Sequence, residues 1–174
     1  MIEIIKRPVA KPDPFNVQTV HVESASEMLN ACHKALPVDI AVFAAAVSDW
    51  RVPNPATKKL KKNTEESKKF EMIKTTDILT SISSIKLNRP RIVVGFAAET
   101  NDIIKHGKAK LKAKNCDWIV ANNISTEFDV FGSDNNQIHL ITKDDVEDWP
   151  KMTKVEVAKR LVSRMAEFLS IHIS

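Results

Sequence analysis

The chain has 174 residues, of which 43% are hydrophobic and 28% are charged, and its formal net charge is +4. This length allows one domain with a single core, and the composition is typical of a globular protein rather than a disordered or membrane-spanning one. A pI near 9.0 favours anionic ligands but does not require nucleic acid. No signal peptide and no apolar stretch of about 18 residues is found, so we expect a cytoplasmic protein without membrane contact.

The N-terminal part of the chain is predicted to form two strands and a helix. Short strands are expected over residues 2–5 and 17–22, because apolar residues recur there between turn residues. Ser24 and Glu27 have the spacing of a capping box, which predicts a helix that continues to about Leu36.

The middle of the chain combines a buried strand with a long loop. Residues 39–46 are a continuous apolar run, typical of a strand buried on both faces of a parallel sheet. Residues 47–67 are predicted to be loop, since they contain prolines and a lysine run. Residues 70–74 resemble a short strand, and Asp77 is expected to cap a helix that ends near Leu87.

The second half alternates between strands and helices. Buried strands are predicted over residues 91–96 and 117–122, a further strand over 137–142, and helices over 99–115 and 153–171. The apolar side of the first helix is expected to include Ile104 and Leu111. This alternation predicts an α/β fold, a three-layer Rossmann-like sandwich around a mostly parallel sheet.

Polar residues follow the three predicted buried strands. Asp49 follows the first strand, Glu99 the second, and Asn122 and Asn123 the third. Because parallel strands end at one edge of a sheet, and ligands bind outside that edge, the sequence predicts a binding site there.

A run of lysines lies in the predicted loop, with Lys58, Lys59, Lys61 and Lys62 inside five residues. The run is either a solvated surface loop or a mobile clamp over a polyphosphate, since lysine acts as a flexible point charge toward phosphate oxygens.

Glycine and cysteine usage excludes several kinds of site. The three glycines, Gly95, Gly107 and Gly132, are too far apart for a glycine-rich phosphate loop, which disfavours a dinucleotide-binding oxidoreductase. Cys32 and Cys116 lie outside any CxxC or Cys/His cluster, so free, packed thiols are expected, with no disulfide and no metal site. The five histidines are scattered and are assigned no role.

Several motifs together resemble one family, the bacterial phosphopantothenate–cysteine ligases of coenzyme A biosynthesis. The motifs keep that family's order and spacing at residues 44–50, 59–62, 76–79, 94–100, 121–123 and 131–136, and at Lys110 and Lys114. The resemblance covers nearly the whole chain from about Pro8. It implies ligation of 4′-phosphopantothenate with cysteine through an acyl-cytidylate, with CTP as substrate and Mg²⁺ as cofactor. It also implies a homodimer.

The resemblance assigns roles to particular residues. It implies a catalytic and nucleotide-binding role for Lys59 and a substrate-contacting role for Ala46. The other implied nucleotide-binding residues are Asp49, Thr76, Asp77, Ile78, Leu79, Phe96, Lys110 and Lys114. Thr76 stands where the family commonly has proline, so that segment is expected to be less rigid.

Each of these residues also has a purely structural interpretation. Asp49 can cap a turn, Phe96 can belong to the core, and Lys110 and Lys114 can form a solvated helix face. Only their joint occurrence in one family's order favours the functional interpretation.

The sequence departs from the family pattern at its beginning. The family's first βα unit, with a Gly-Gly-Thr segment and the asparagine linked to acyl-cytidylate formation, has no counterpart here. We therefore expect either that a companion chain carries that segment or that this is a truncated form of the family's domain; a companion chain that carries the flavin-dependent decarboxylase is a further expectation. The alternative is a catalytically incomplete nucleotide-binding subunit or remnant that needs a partner chain.

Overall fold

The computed structural model describes residues 1–9, 12–54, 71–123 and 135–171. The chain forms two compact units, one of Met1–Ala31 with Ala46–Ile78, the other of Cys32–Ala45 with Leu79–Ser174. The interpretation of residues 1–174 as one domain stays a prediction.

Short strands and four helices follow one another along the described residues. In chain order they are β1 (Glu3–Lys6), β2 (Gln18–His21), α1 (Ala25–Ala35), β3 (Ile40–Phe43), β4 (Trp50–Arg51), β5 (Ile73–Lys74), α2 (Ile78–Ser83), β6 (Ile92–Glu99), α3 (Ile103–Lys114), β7 (Trp118–Asn123), β8 (Asn135–Asn136), β9 (Ile138–Ile141), β10 (Val146–Asp148), β11 (Met152–Thr153) and α4 (Lys154–Ile171). None of these helices has the length and apolar character needed to cross a membrane.

The first unit contains two strand pairs. Strands β1 and β2 are parallel, and both were predicted. The antiparallel pair β4–β5 corrects part of the sequence analysis, because β4 lies in a segment predicted to be loop. Two residues are too few to leave a periodic signal.

Helix α1 begins with the predicted cap. The Glu27 N–H donates to Ser24 Oγ at 3.2 Å, and Glu27 Oε2 accepts from the Glu23 N–H at 2.9 Å. These bonds satisfy amide groups that have no hydrogen-bond partner within the helix. They allow α1 to begin shortly after β2 ends.

The second unit is built on a five-stranded sheet in the order β10-β9-β7-β6-β3. Strands β3, β6 and β7 are parallel, whereas β9 and β10 join antiparallel to their neighbours. The sheet is thus mixed, with four of its five strands in one direction and only β9 reversed.

Helices cover both faces of this sheet, which confirms the predicted three layers. On one face Val94, Val120 and Leu140 form a buried cluster with Leu161 and other residues of α4. On the opposite face Val93, Ile119 and Ile141 form a second cluster, against which residues of α2 and α3 pack. Alternation along each strand sends neighbouring side chains to the two clusters.

Strand β3 was predicted to be buried on both faces, and this prediction is wrong. It is shorter than the predicted 39–46 segment, lies at the edge of the sheet, and leaves Val42 45% exposed. An apolar run does not reveal whether a strand has one neighbour or two.

Two predicted helices have different bounds in the structure. Helix α3 begins at Ile103 rather than Glu99, because β6 continues to Glu99 and Asp102 has a left-handed φ of 44°. Consequently Ile103 packs against the sheet, while Ile104, predicted to lie on the apolar side, is 38% exposed.

Helix α2 begins directly after Asp77, as predicted, but ends at Ser83 instead of Leu87. Arg89 Nε donates to the Ser83 carbonyl at 2.7 Å, and Asn115 Nδ2 donates to the same oxygen at 3.3 Å. The Ser83 carbonyl therefore accepts hydrogen bonds from two side chains, whereas in a longer helix it would accept one from a backbone N–H of the next turn.

Candidate functional site

The structure joins two of the predicted nucleotide-binding segments within the first unit. The Thr75 N–H donates to the Asp49 carbonyl at 2.8 Å, where the β4–β5 pair begins. Asp49 is thereby held beside Thr76 and Asp77, although 26 residues separate it from Thr75 in the sequence.

Local contacts fix the loop around Asp49. Ser48 Oγ donates to the Trp50 carbonyl at 2.9 Å, and the Lys74 ammonium lies 6.0 Å from the centre of the Trp50 ring. The second distance is at the outer limit of a cation–π contact. The hydrogen bonds leave the Asp49 carboxylate exposed, as a group that binds a ligand must be.

The remaining candidates of this unit differ in exposure. Ala46 and Thr76 are exposed and Asp77 is half-buried, whereas Ile78 is buried. The Ile78 side chain is therefore a core residue, and any contact with a nucleotide would come from its backbone.

In the second unit, Leu79 packs on the α3 side of the sheet. A Cβ atom at Gly95 would lie 2.6 Å from Leu79 Cδ2 and 3.0 Å from Ile119 Cδ1. A side chain at residue 95 would therefore displace the methyl groups of Leu79, and glycine allows α2 to approach β6 closely without this shift. This predicted nucleotide contact also has a packing role.

Phe96 lies on the opposite side of β6. It is half-buried and packs against the cluster that α4 covers. Since successive strand residues point to opposite faces, Phe96 and the Leu79–Gly95 contact do not share a surface. The structural role weighed for Phe96, as a core residue, is observed.

Lys110 and Lys114 are both half-buried and lie four residues apart on α3, so they occupy one face of the helix. Helix α3 returns from the end of β6 toward the start of β7. Lys114 is therefore about 16 Å along the helix from Ile103, away from the edge where the parallel strands end. Within the second unit, the two lysines are therefore close to each other and lie along α3 away from Glu99 at the end of β6.

The cysteines behave as the sequence predicted. Both are thiols outside any disulfide, and burial raises the pKa of the Cys116 thiol to about 11, although the positive charges of Arg89 and Lys110 act in the opposite direction. This thiol is therefore protonated and packed rather than reactive.

Some predicted site residues lie outside the described residues. These are Lys59 with the rest of the lysine run, and the first part of the 131–136 motif. Their predicted roles stay predictions.

A pair that the sequence analysis missed lies where β6 ends. Glu99 is the last residue of β6, and its Oε2 atom lies 3.4 Å from His106 Nδ1 in the first turn of α3. The histidine was set aside because no other histidine is near it in sequence. The sequence offered no clear signal for the pair, because Glu99 was predicted to begin the helix, whereas β6 extends to it in the structure.

Within residues 1–9, 12–54, 71–123 and 135–171, no group of three or more histidine, cysteine, aspartate or glutamate side chains could hold a metal ion.

Comparison with known proteins adds a family to this geometry. The family model described as the DNA/pantothenate metabolism flavoprotein C-terminal domain matches residues 1–169. A coenzyme A biosynthesis bifunctional protein CoaBC of Vibrio vulnificus is 38% identical over 155 residues, which cover 88% of this chain and 37% of that protein. The CoaBC protein of Haemophilus influenzae is 37% identical over 167 residues, or 95% of this chain and 41% of that protein. The chain thus spans about two fifths of the length of these relatives.

Solved structures agree with the fold. A crystal structure of the C-terminal domain of a CoaBC protein superimposes with a TM-score of 0.77 at 30% identity, covering 97% of this chain and 74% of that one. A DNA/pantothenate metabolism flavoprotein from Streptococcus pneumoniae has a TM-score of 0.76 at 17% identity, covering 95% of this chain and 80% of that one. The second likeness concerns the fold alone.

Proposed function

The chain belongs to the family of DNA/pantothenate metabolism flavoprotein C-terminal domains, and from this premise we propose that it ligates 4′-phosphopantothenate with cysteine, using CTP. The carboxylate of phosphopantothenate attacks the α-phosphate of CTP, forming an acyl-cytidylate and releasing pyrophosphate. The amine of cysteine then attacks the acyl carbon and displaces CMP. The first step is needed because a carboxylate oxygen is a poor leaving group until it is phosphorylated.

The observation that carries this proposal is the hydrogen bond from the Thr75 N–H to the Asp49 carbonyl. It supports a shared site because it holds together two segments that, by resemblance, both contact the nucleotide. In this proposal the exposed Asp49 carboxylate accepts hydrogen bonds from the nucleotide, and the backbone around Thr76 and Asp77 lines the same pocket. Ala46 contacts the substrate through its backbone.

Lysine side chains supply the positive charge in this proposal. Lys59 clamps the phosphates and promotes conversion of the acyl-cytidylate to product, and Lys110 with Lys114 contacts the nucleotide. Ammonium groups held in place stabilise charge that builds up on phosphate oxygens, which is the main requirement of phosphoryl chemistry. Mg²⁺ enters as the MgCTP complex, bound mainly by phosphate oxygens and water, as this ion prefers.

Calorimetric titration with MgCTP and MgATP tests the nucleotide assignment. We expect CTP to bind more tightly, because residues 59–62 resemble the CTP-using bacterial branch rather than the ATP-using eukaryotic one. Asp49→Asn should weaken CTP binding about tenfold. Asp39→Asn, which alters another exposed carboxylate that carries no assigned role, should leave it unchanged. Equal or tighter ATP binding by the unaltered chain would reject the CTP assignment.

The alternative from the sequence analysis is a nucleotide-binding subunit that needs a partner chain. Pyrophosphate release from MgCTP and phosphopantothenate separates the two. A chain that binds CTP but releases pyrophosphate only when a partner is added supports the subunit role. Turnover by the chain itself supports the complete ligase.

A further inference from the structure

The Glu99–His106 pair lies at the carboxyl edge of the parallel strands, where open α/β sheets bind their ligands. Glu99 points to the same face of the sheet as Ala97, which is the face that α3 covers. His106 belongs to the first turn of α3, so a strand end and a helix beginning hold the two side chains.

The Glu99 side chain is less exposed to solvent than the His106 side chain. The Glu99 side chain is only 24% exposed, while that of His106 is 42% exposed. The carboxylate thus faces the imidazole Nδ1 from a sheltered position. Within the described part of the chain, the Nε2 atom of His106 takes part in no hydrogen bond, so the outer side of the ring is available to a ligand.

This arrangement is that of a proton acceptor. A carboxylate that accepts the Nδ1 proton of a histidine leaves the Nε2 lone pair for a ligand on the outer side of the ring. At 3.4 Å the two groups are within ion-pair distance but do not form a hydrogen bond in this structure, and catalytic contacts of this kind commonly tighten when the substrate is bound.

We infer that His106, oriented by Glu99, accepts a proton from the cysteine amine as it attacks the acyl group, an inference that rests on the proposed ligase function. The nitrogen forms a bond to the acyl carbon, the bond from that carbon to the phosphate oxygen breaks, and the electron pair leaves with CMP. Starting from the ammonium form of cysteine, amide formation releases two protons. His106 Nε2 takes one and later passes it to water, and water takes the other directly.

The first test is a binding measurement that needs no turnover. The chain, labelled with ¹³C at the Cε1 atoms of its histidines, is titrated with the product phosphopantothenoylcysteine and followed by NMR. We expect the His106 resonance to move on binding, because the cysteine portion of the product occupies the proposed acceptor site. His21, which forms a comparable pair with Asp13 at 2.9 Å on β2, serves as the control resonance and should not move.

The second test separates the two chemical steps under single-turnover conditions. His106→Gln should slow CMP release after cysteine addition about 10²-fold, the usual contribution of a general base, while the pyrophosphate burst keeps its rate. Glu99→Gln should slow the same step to a smaller degree. His21→Gln should change neither step, and imidazole in the buffer should partly restore a His106→Ala variant.

The outcomes distinguish this inference from the function on which it rests. Product binding without a change in the His106 resonance, or an unaltered cysteine step in His106→Gln, overturns the role of His106 while leaving the ligase proposal in place. A folded chain that neither binds the product nor releases pyrophosphate contradicts the proposed function, and the role of His106 with it.

Discussion

Gly107 packs against Ile141 with no space for a side chain, since a Cβ atom at residue 107 would overlap Ile141 Cδ1 and would lie 3.6 Å from the Ala121 Cβ. This contact sets how closely α3 approaches β7 and β9. Ile141 is fully buried, so its side chain cannot move aside into solvent. A side chain at residue 107 would therefore force the end of the Ile141 side chain to shift within the core.

Gly107→Ala is expected to destabilise the fold despite improving helix propensity. Alanine gains about 1 kcal/mol over glycine inside a helix, but overfilling a packed core costs about 1–3 kcal/mol. We expect a net loss of up to about 2 kcal/mol in the free energy of unfolding, measured in urea.

The double variant Gly107→Ala with Ile141→Val is the control for this explanation, because valine lacks the Cδ1 atom. It should recover part of the loss. If Gly107→Ala is more stable than the unaltered chain, the contact between residue 107 and Ile141 has room for a methyl group and the explanation is wrong.

Arg164 links α4 to β10 through Glu147, and this contact should make stability depend on pH. Partial burial raises the pKa of Glu147, but hydrogen bonds from Arg164 and Trp149 outweigh it and lower this pKa overall. A carboxyl whose pKa is lowered by folding stabilises the folded state above its unfolded pKa, near 4.5, and this contribution is lost as the pH falls through the folded pKa.

Arg164→Gln is therefore expected to reduce stability at pH 7 and to have a smaller effect near pH 3. Because the Arg164 side chain is 40% exposed, the loss at pH 7 should be about 1 kcal/mol or less. Lys159→Gln, a nearby change of the same charge, is the matched control. Equal losses at both pH values would mean that packing rather than charge explains the effect.

The sequence predicted the centre of the sheet better than its margins. Strands β6 and β7 are buried on both faces and appear as unbroken apolar runs, so their existence could be inferred directly. Strand β3 has a similar composition, but its edge position depends on neighbours that its own residues do not encode. The site was also only partly predictable. Asp49 approaches Thr75 through a backbone hydrogen bond, which the pattern of side chains does not predict. The Glu99–His106 pair was missed for a related reason, because the end of β6 and the beginning of α3 lie about three residues beyond their predicted positions.

Lys59→Gln is expected to abolish product formation while leaving the fold intact. In the proposed function this lysine supplies charge to phosphate and little packing, and surface changes usually alter stability by less than about 0.5 kcal/mol. The measurement is the yield of phosphopantothenoylcysteine, with thermal unfolding as the check of folding. Lys86→Gln, which alters an exposed lysine without an assigned role, controls for loss of charge. Normal ligation by the Lys59 variant would show that this lysine does not have the proposed role at the phosphates.

Lys110 and Lys114 should act through the phosphates of the nucleotide. Converting both to glutamine is expected to weaken CTP binding at least tenfold and to leave cytidine binding nearly unchanged, since cytidine lacks the charge that the ammonium groups would meet. Calorimetric titration at two salt concentrations strengthens this test, because salt screens the attraction between the ammonium groups and the phosphates. Lys105→Gln with Lys112→Gln removes the same charge from exposed positions of α3 and is the matched control. If the Lys110 and Lys114 variant weakens CTP and cytidine equally, the two lysines act on the pocket or on the packing of α3, and the phosphate contact is wrong.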